Sequence, residues 1–291
     1  MLKETIKSLD IKSNGIYVDL TFGGGGHSNE ILKCLGKNGK LIAFDQDTDS
    51  MRNEIKDDRF ILINQNFKFL TQNLIFYGHK YVDGILADLG VSSFQIDQIE
   101  RGFSLKSDAN LDMRMNKKQE ITAADILNNY TEEELSSIFY EHSDVKNSRS
   151  IAKLIINNRI KSKINSSQKL NEILSPLVSS RYQNKILAKI YQAIRIEVND
   201  EIGVLKELLV QIPSVLKKNG KVTIITYHSV EDRLVKRYFQ NGCFDTEPVK
   251  DKFGNIKTPL KKCFKFKKPS KKEIKKNSRS RSAKLRCAIK L

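Results

Sequence analysis

Ile16-Tyr17-Val18-Asp19-Leu20-Thr21-Phe22-Gly23-Gly24-Gly25-Gly26-His27-Ser28 joins a short apolar run to four successive glycines and then to the start of a helical pattern. The first five residues read as a buried strand, and Ser28 is placed to cap a helix running through Ile31, Leu32 and Leu35 until Gly36 stops it. Consecutive glycines let the backbone turn sharply and approach a ligand with no Cβ in the way, and the helix start beyond them offers unpaired N–H groups. Four in a row cost backbone entropy, so a mere tight turn explains them poorly. A second strand, Leu41-Ile42-Ala43-Phe44-Asp45, ends in an acid, where a carboxylate can accept both ribose hydroxyls of an adenine nucleoside.

Strand, glycines, helix, strand and acid point to an adenosine cofactor, and the glycine spacing bears on which one. A dinucleotide fingerprint starting at Gly23 needs glycine or alanine at position 28, which is Ser28; one starting at Gly24 needs it at position 29, which is Asn29. NAD is therefore disfavoured. S-adenosylmethionine has no pyrophosphate to lay on the helix, and acids near the loop suit its ammonium and sulfonium charges.

Working outward, Phe60 to Ile63 reads as a third strand and Val82 to Asp88 as a fourth, so the first 90 residues alternate in the manner of a parallel sheet covered by helices. Asp88-Leu89-Gly90-Val91-Ser92-Ser93 closes the fourth strand, and open α/β sheets bind ligands outside the carboxyl ends of their strands. The rhythm then breaks, because the next convincing strand is Lys221 to Thr226. Thr131 with Glu134 forms a capping box in between, and Ile151, Leu154 and Ile155 recur at helical spacing. An α/β core over residues 1–93 and 196–291 is therefore expected, with a helical domain inserted over 94–195. A helix from about Glu201 to Leu216 returns the chain to the sheet, and Leu285 to Ile289 adds a last strand.

The chain has 291 residues, long enough for one or two domains. No apolar run approaches a membrane span, and the first residues carry no secretory pattern, so a soluble cytoplasmic protein is expected. Cys34, Cys243, Cys263 and Cys287 form no CxxC pair, which fits reduced thiols rather than a metal site, and no metal is expected. The 51 Lys and Arg exceed the 34 Asp and Glu by 17, but 17 cations against only Asp251 and Glu273 lie between Lys250 and Leu291. The basic segment 250–291 therefore carries the field. Lys261-Lys262, Lys267-Lys268, Lys271-Lys272, Lys275-Lys276, Arg279, Arg281 and Arg286 are placed to neutralise phosphates, which favours a nucleic-acid partner over a merely solvated face. An anionic membrane would also want an amphipathic apolar face. His228 in Tyr227-His228-Ser229-Val230-Glu231-Asp232-Arg233 follows the late strand, but no acid partner can be assigned to it from sequence, and a structural role is favoured.

The segments Asp19 to Ser28, Asp88 to Ser93, Arg101 to Ser104, Leu111 to Met115, Gln192 to Asn199, His228 to Arg233 and Asn277 to Arg286 resemble, in order, the motifs of the RsmH (MraW) family of bacterial methyltransferases. The resemblance spans nearly the whole chain. It implies a Rossmann-like class I methyltransferase core with a helical insertion, S-adenosylmethionine as cofactor, and N4-methylation of a cytidine in the decoding region of 16S ribosomal RNA. The implied partner is that RNA or the small ribosomal subunit particle. By motif, the cofactor contacts fall on Gly25, Gly26, His27, Asp45, Phe67, Asp88 and Gln95. No catalytic base is assigned. Enzymes acting on amino groups of DNA or transfer RNA commonly carry a Pro-Pro-aromatic turn after the acid, where this chain has Gly90-Val91-Ser92, and DNA is not expected as partner. Two segments depart from the family pattern: a short His-containing stretch usually precedes the residues matching Leu2 to Thr5, and Tyr140-Glu141-His142-Ser143-Asp144 replaces a Tyr-Gly-Glu-Glu-like stretch.

Overall fold

The computed structural model describes residues 1–105, 108–177, 183–244 and 246–291. Strands β1 (Ile16–Asp19), β2 (Lys40–Phe44), β3 (Phe60–Ile63), β4 (Val82–Asp88), β5 (Leu216–Thr226), β6 (Leu260–Lys262) and β7 (Lys284–Lys290) form one sheet in the order β3-β2-β1-β4-β5-β7-β6. Strands β1 to β5 run parallel to one another, whereas β7 runs antiparallel to both β5 and β6. The α-helices among the described residues are, in chain order, α1 (Leu2–Leu9), α2 (Gly26–Cys34), α3 (Leu70–Phe76), α4 (Ser93–Asp97), α5 (Ala123–Asn129), α6 (Glu132–Ser143), α7 (Ser148–Arg159), α8 (Ser167–Leu174), α9 (Gln183–Asn199), α10 (Glu201–Val215), α11 (Ser229–Asn241) and α12 (Lys271–Lys276). The chain divides into two compact units, Met1–Gly90 with Ile202–Leu291, and Val91–Glu201.

The first unit has the Rossmann-like α/β architecture, a mostly parallel sheet with helices in its crossovers. Its central strands are buried on both faces, which is why Val18, Leu41, Ile42, Ala43, Phe44, Ile85, Leu86 and Ala87 read as continuous apolar runs rather than as alternation. Strand order reverses at β1, which lies between β2 and β4, and that reversal opens a crevice at the carboxyl ends of β1 and β4. The late strand starts earlier than its apolar run suggests: Leu216 pairs with Val82, and the register shifts before Lys221 pairs with Gly84. Asn219, at φ 64°, takes the left-handed backbone at this irregularity.

The basic C-terminal segment is built into this sheet. Strand β7 pairs with β5 from Lys284 against Thr226 to Ile289 against Lys221, and its apolar Leu285, Cys287 and Ala288 are buried. Arg286 is thereby removed from the cations expected to meet phosphate. It is 5% exposed, its Nε donates to Asp232 Oδ1 at 2.7 Å, and its Nη1 donates to the Lys265 carbonyl at 2.8 Å. Lys284 Nζ donates to the other Asp232 oxygen at 2.7 Å. Burial opposes ionisation of Asp232, but these two cations prevail and hold its carboxyl below the usual range. Arg286→Ala should therefore destabilise the fold in urea unfolding, by up to about 3–5 kcal/mol, because it removes the better-buried of the two cations that hold a buried carboxylate and leaves the more exposed Lys284; a loss below about 1 kcal/mol would mean that the pair behaves as a solvated surface pair.

The second unit is helical. Leu135, Ile138 and Phe139 of α6 pack with Ile151, Ala152 and Ile155 of α7 and with Ile190 and Ile194 of α9 in one core. The expected capping box forms at Thr131 and Glu134, and another forms at Thr122 and Asp125. His142, in the stretch that departs from the family pattern, ties α6 to α9: its Nε2 lies 3.0 Å from Glu197 Oε2, and Gln192 Nε2 donates to its carbonyl at 2.8 Å.

Candidate cofactor site

The glycine loop leaves β1 as an extension of the sheet before it turns. Leu20 N donates to the Leu86 carbonyl and Phe22 N to the Phe44 carbonyl, each at 2.9 Å, so the chain enters the loop held between β4 and β2. Gly23 (φ 53°) and Gly25 (φ 72°) then take the left-handed backbone that favours glycine, and Gly25 caps α2. A Cβ on Gly25 would also lie 3.1 Å from the Phe22 ring, whereas one on Gly24 or Gly26 would meet nothing within 4 Å. The loop thus presents bare backbone toward open space at two positions, beside the N-terminus of a nine-residue helix.

Ser28 does not cap that helix. Its hydroxyl donates instead to Asp19 Oδ2 at 2.8 Å, and Thr21 N donates to Asp19 Oδ1 at 3.2 Å. Asp19 is fully buried, so satisfying its carboxyl outweighs a cap that Gly25 can supply through its backbone conformation. Burial raises the Asp19 pKa.

Asp45 follows β2 directly and grips the loop. Its Oδ2 accepts from Gly23 N at 2.8 Å and its Oδ1 from Asp47 N at 2.9 Å. Each carboxylate oxygen has capacity for a further donor. Burial raises its pKa against the pull of those two amides.

Asp88 ends β4 on the other side of β1. Its N donates to Thr21 Oγ1 at 2.7 Å, which fastens strand end to loop, and its Oδ1 accepts from the Tyr227 hydroxyl at 2.9 Å. Its Oδ2 lies 3.6 Å from His27 Nδ1, and its side chain remains 26% exposed. Recessed among protein atoms, the Asp88 carboxyl is pushed up to about 6, despite the Tyr227 hydrogen bond. His27 is shifted down, first by burial, and its Nε2 is buried with no hydrogen-bond partner among the described residues.

Tyr227 belongs to the site although its sequence position alone does not place it there. Ile225 is the register partner of Asp88, and Tyr227 is two residues further on the same face, within reach of the carboxylate. Its hydroxyl is shifted up by burial and then by Asp88. A tyrosine just past a late strand is the only signal in the sequence, and it gains meaning from a register that the sequence does not display. His228 does have an acid partner: Glu231 Oε1 lies 3.1 Å from its Nε2, and the two residues form a reciprocal capping box that starts α11. That is a structural role.

The loop residues Gly25, Gly26 and His27 thus meet Asp45 and Asp88 at one edge of the sheet. Phe67 follows β3 at that same edge and is half-buried against the core of the first unit, while Phe69 turns outward at 42% exposure. Gln95 belongs to the second unit, near the start of α4, where its Oε1 accepts from Ser92 N at 3.0 Å in a capping box.

A family model described as the MraW methylase family matches residues 1–291. The chain is 55% identical over 291 residues to the ribosomal RNA small subunit methyltransferase H of Christiangramia forsetii, covering 100% of this chain and 96% of that one. It is similarly 52% identical over 291 residues to the enzyme of that name from Flavobacterium johnsoniae, covering 100% and 96%. The corresponding protein of Flavobacterium psychrophilum is 53% identical over 290 residues, covering 100% of both chains.

Proposed function

Because this chain belongs to the MraW methylase family, we propose that it transfers a methyl group from S-adenosylmethionine to N4 of a cytidine in the decoding region of 16S ribosomal RNA. The observation that carries the reading is the convergence of a bare glycine loop, Asp45 and Asp88 at the switch point of the sheet. These residues fit the cofactor: the space beyond Gly24 and Gly26 would be filled by side chains in any other residue type, two carboxylates suit a ligand with cationic groups, and His27 Nε2 awaits a partner.

Gly25, Gly26, His27, Asp45, Phe67, Asp88 and Gln95 are the residues we assign to it. S-adenosylmethionine supplies an electrophilic methyl group on a sulfonium. Asp45 would accept the ribose hydroxyls while its hold on Gly23 N keeps the loop closed around them. Asp88, oriented by Tyr227, places negative charge near the cationic part of the ligand. Cytosine N4 is a poor nucleophile because its lone pair is delocalised into the ring, so the chain's contribution is to hold the amine in line and exclude water. Positioning of that kind can lower a barrier by several kcal/mol. The target base must leave its stack, which costs less in an RNA loop than in a duplex.

The partner is 16S ribosomal RNA or a small-subunit particle, and the compartment the cytoplasm. Among the described residues no helix is long and apolar enough to cross a membrane. Exposed lysines of the C-terminal segment, including Lys271, Lys272, Lys275 and Lys276 of α12, would meet phosphates. Replacing these four by alanine should weaken RNA binding and reduce the slope of log affinity against log salt by up to about 3, at roughly 0.7 for each single-strand phosphate no longer neutralised. An unchanged slope in a filter-binding titration would remove this helix from the RNA path. Titration calorimetry tests the cofactor: saturable binding of S-adenosylmethionine is expected, and no heat at high micromolar concentration would contradict the reading.

A further inference from the structure

Cys263 and Cys287, 24 residues apart in sequence, stand opposite each other at the edge of the sheet. Lys262 is the register partner of Ala288, and Cys263 N donates to the Cys287 carbonyl at 2.9 Å, so the pairing continues one residue past β6. Directly opposed residues in an antiparallel ladder have Cα atoms about 4.5–5.5 Å apart, inside the range of about 4.4–6.8 Å spanned by disulfides. The two sulfur atoms are 3.4 Å apart, with the Cys287 thiol donating to Cys263 Sγ. Cys263 is exposed and Cys287 buried. One sulfur therefore meets solvent while the other waits directly behind it.

We propose that this pair is an oxidation site, at which Cys263 reacts with a peroxide and Cys287 resolves the product as an intramolecular disulfide. The Cys263 thiolate attacks a peroxide oxygen, the O–O bond breaks, and a sulfenic acid forms as hydroxide leaves and takes a proton. Cys287 sulfur, giving up its thiol proton, then displaces the hydroxyl from Cys263 sulfur, so the S–S bond forms and water leaves. Two thiols lose two electrons and two protons, and one hydrogen peroxide becomes two waters.

The surroundings divide the two roles. The hydrogen bond from Cys287, then the Lys221 ammonium, brings the Cys263 thiol down to about 7 against the effect of burial, so thiolate is abundant near neutral pH. An ion pair with Asp10 at 2.9 Å holds that ammonium. The same hydrogen bond, and then burial, push the Cys287 thiol up, which keeps it protonated until a sulfenic acid forms beside it. Cys34 is exposed as well, but no sulfur stands beside it among the described residues, and it serves as an internal control with Cys243.

The test treats the purified full chain with excess hydrogen peroxide near pH 7.5, followed by intact mass, thiol counting and peptide mapping. The expected product is lighter by about 2 Da, retains two of the four thiols, contains a Cys263–Cys287 linked peptide, and reverts with dithiothreitol. Cys263→Ser, at an exposed position, should abolish the linkage and leave Cys287 reduced. Cys287→Ser should let Cys263 run on to the sulfinic acid. Sulfinic acid at Cys263 in the unsubstituted chain without any linked peptide would overturn the proposal, as would a linkage to Cys34 or Cys243, or a Cys263 that stays reduced while Cys34 is oxidised. These readouts do not depend on methyl transfer, so the proposal and the proposed function fail separately.

Discussion

Asp45→Ala is expected to lower the affinity for S-adenosylmethionine by roughly 30- to 1000-fold in a calorimetric titration, with the sheet intact by circular dichroism. Two hydrogen bonds from ribose hydroxyls to an ionised acceptor contribute about 2–4 kcal/mol together, and each 1.4 kcal/mol is about a factor of ten. The substitution also frees Gly23 N and Asp47 N, both of which now donate to this carboxylate, so the loop loses its tether at the same time. Asp45→Asn should rescue little. Its amide carries two donors, and at least one would be aimed at a backbone N–H or a ribose hydroxyl in place of an acceptor. Equal affinity in Asp45→Ala would remove this residue from the cofactor assignment.

Asp88→Asn should have two opposite consequences. Catalytic efficiency is expected to fall by about 100-fold or more, because a negative charge facing a cationic ligand in a recessed site is lost and a dipole is a weak replacement. Stability is expected to rise above pH 6. The Asp88 carboxyl moves from an ordinary 3.8 to about 6 on folding, chiefly because burial penalises the charged form. The folded state therefore holds a proton that the unfolded state has released, so stability falls as pH rises between about 4 and 6. Asparagine has no such proton and still offers Tyr227 an acceptor. Its advantage at pH 8 is at most about 3 kcal/mol, the equivalent of the whole shift, and less to the extent that solvent reaches the side chain. In the unsubstituted protein, cofactor binding should weaken as pH falls through about 6. Parallel urea unfolding curves for the two proteins across that range would refute the assignment of a raised pKa to Asp88.

The strands that position the site are legible because their physics is local. Ile16 to Asp19, Leu41 to Phe44 and Val82 to Asp88 are buried through most of their length, so each is a nearly continuous apolar run, and each run stops where an acid must sit. The glycines announce the loop for a similar reason: Gly23 and Gly25 need φ values that other residues avoid. What stays hidden depends on pairing over long separations. The Tyr227 hydrogen bond needs the register of β5 against β4, which includes a shift between Val82 and Gly84. The Asp232–Arg286 pair joins residues 54 apart, and nothing in a basic stretch announces that one of its cations lies inside. Ser28 reads as a cap because serine commonly is one, but a buried carboxylate nearby has the stronger claim on its hydroxyl.

Whether the glycine loop and its two carboxylates serve methyl transfer to a cytidine amine of the small-subunit RNA is decided by mapping the product. Small-subunit particles from a strain lacking this protein are incubated with the purified chain and methyl-labelled S-adenosylmethionine, and the RNA is digested to nucleosides and to fragments. Label is expected in N4-methylcytidine, confined to a fragment of the decoding region, and none with Asp45→Ala. Label on another base or atom, or particles that take up no methyl group from the intact protein, would contradict that role.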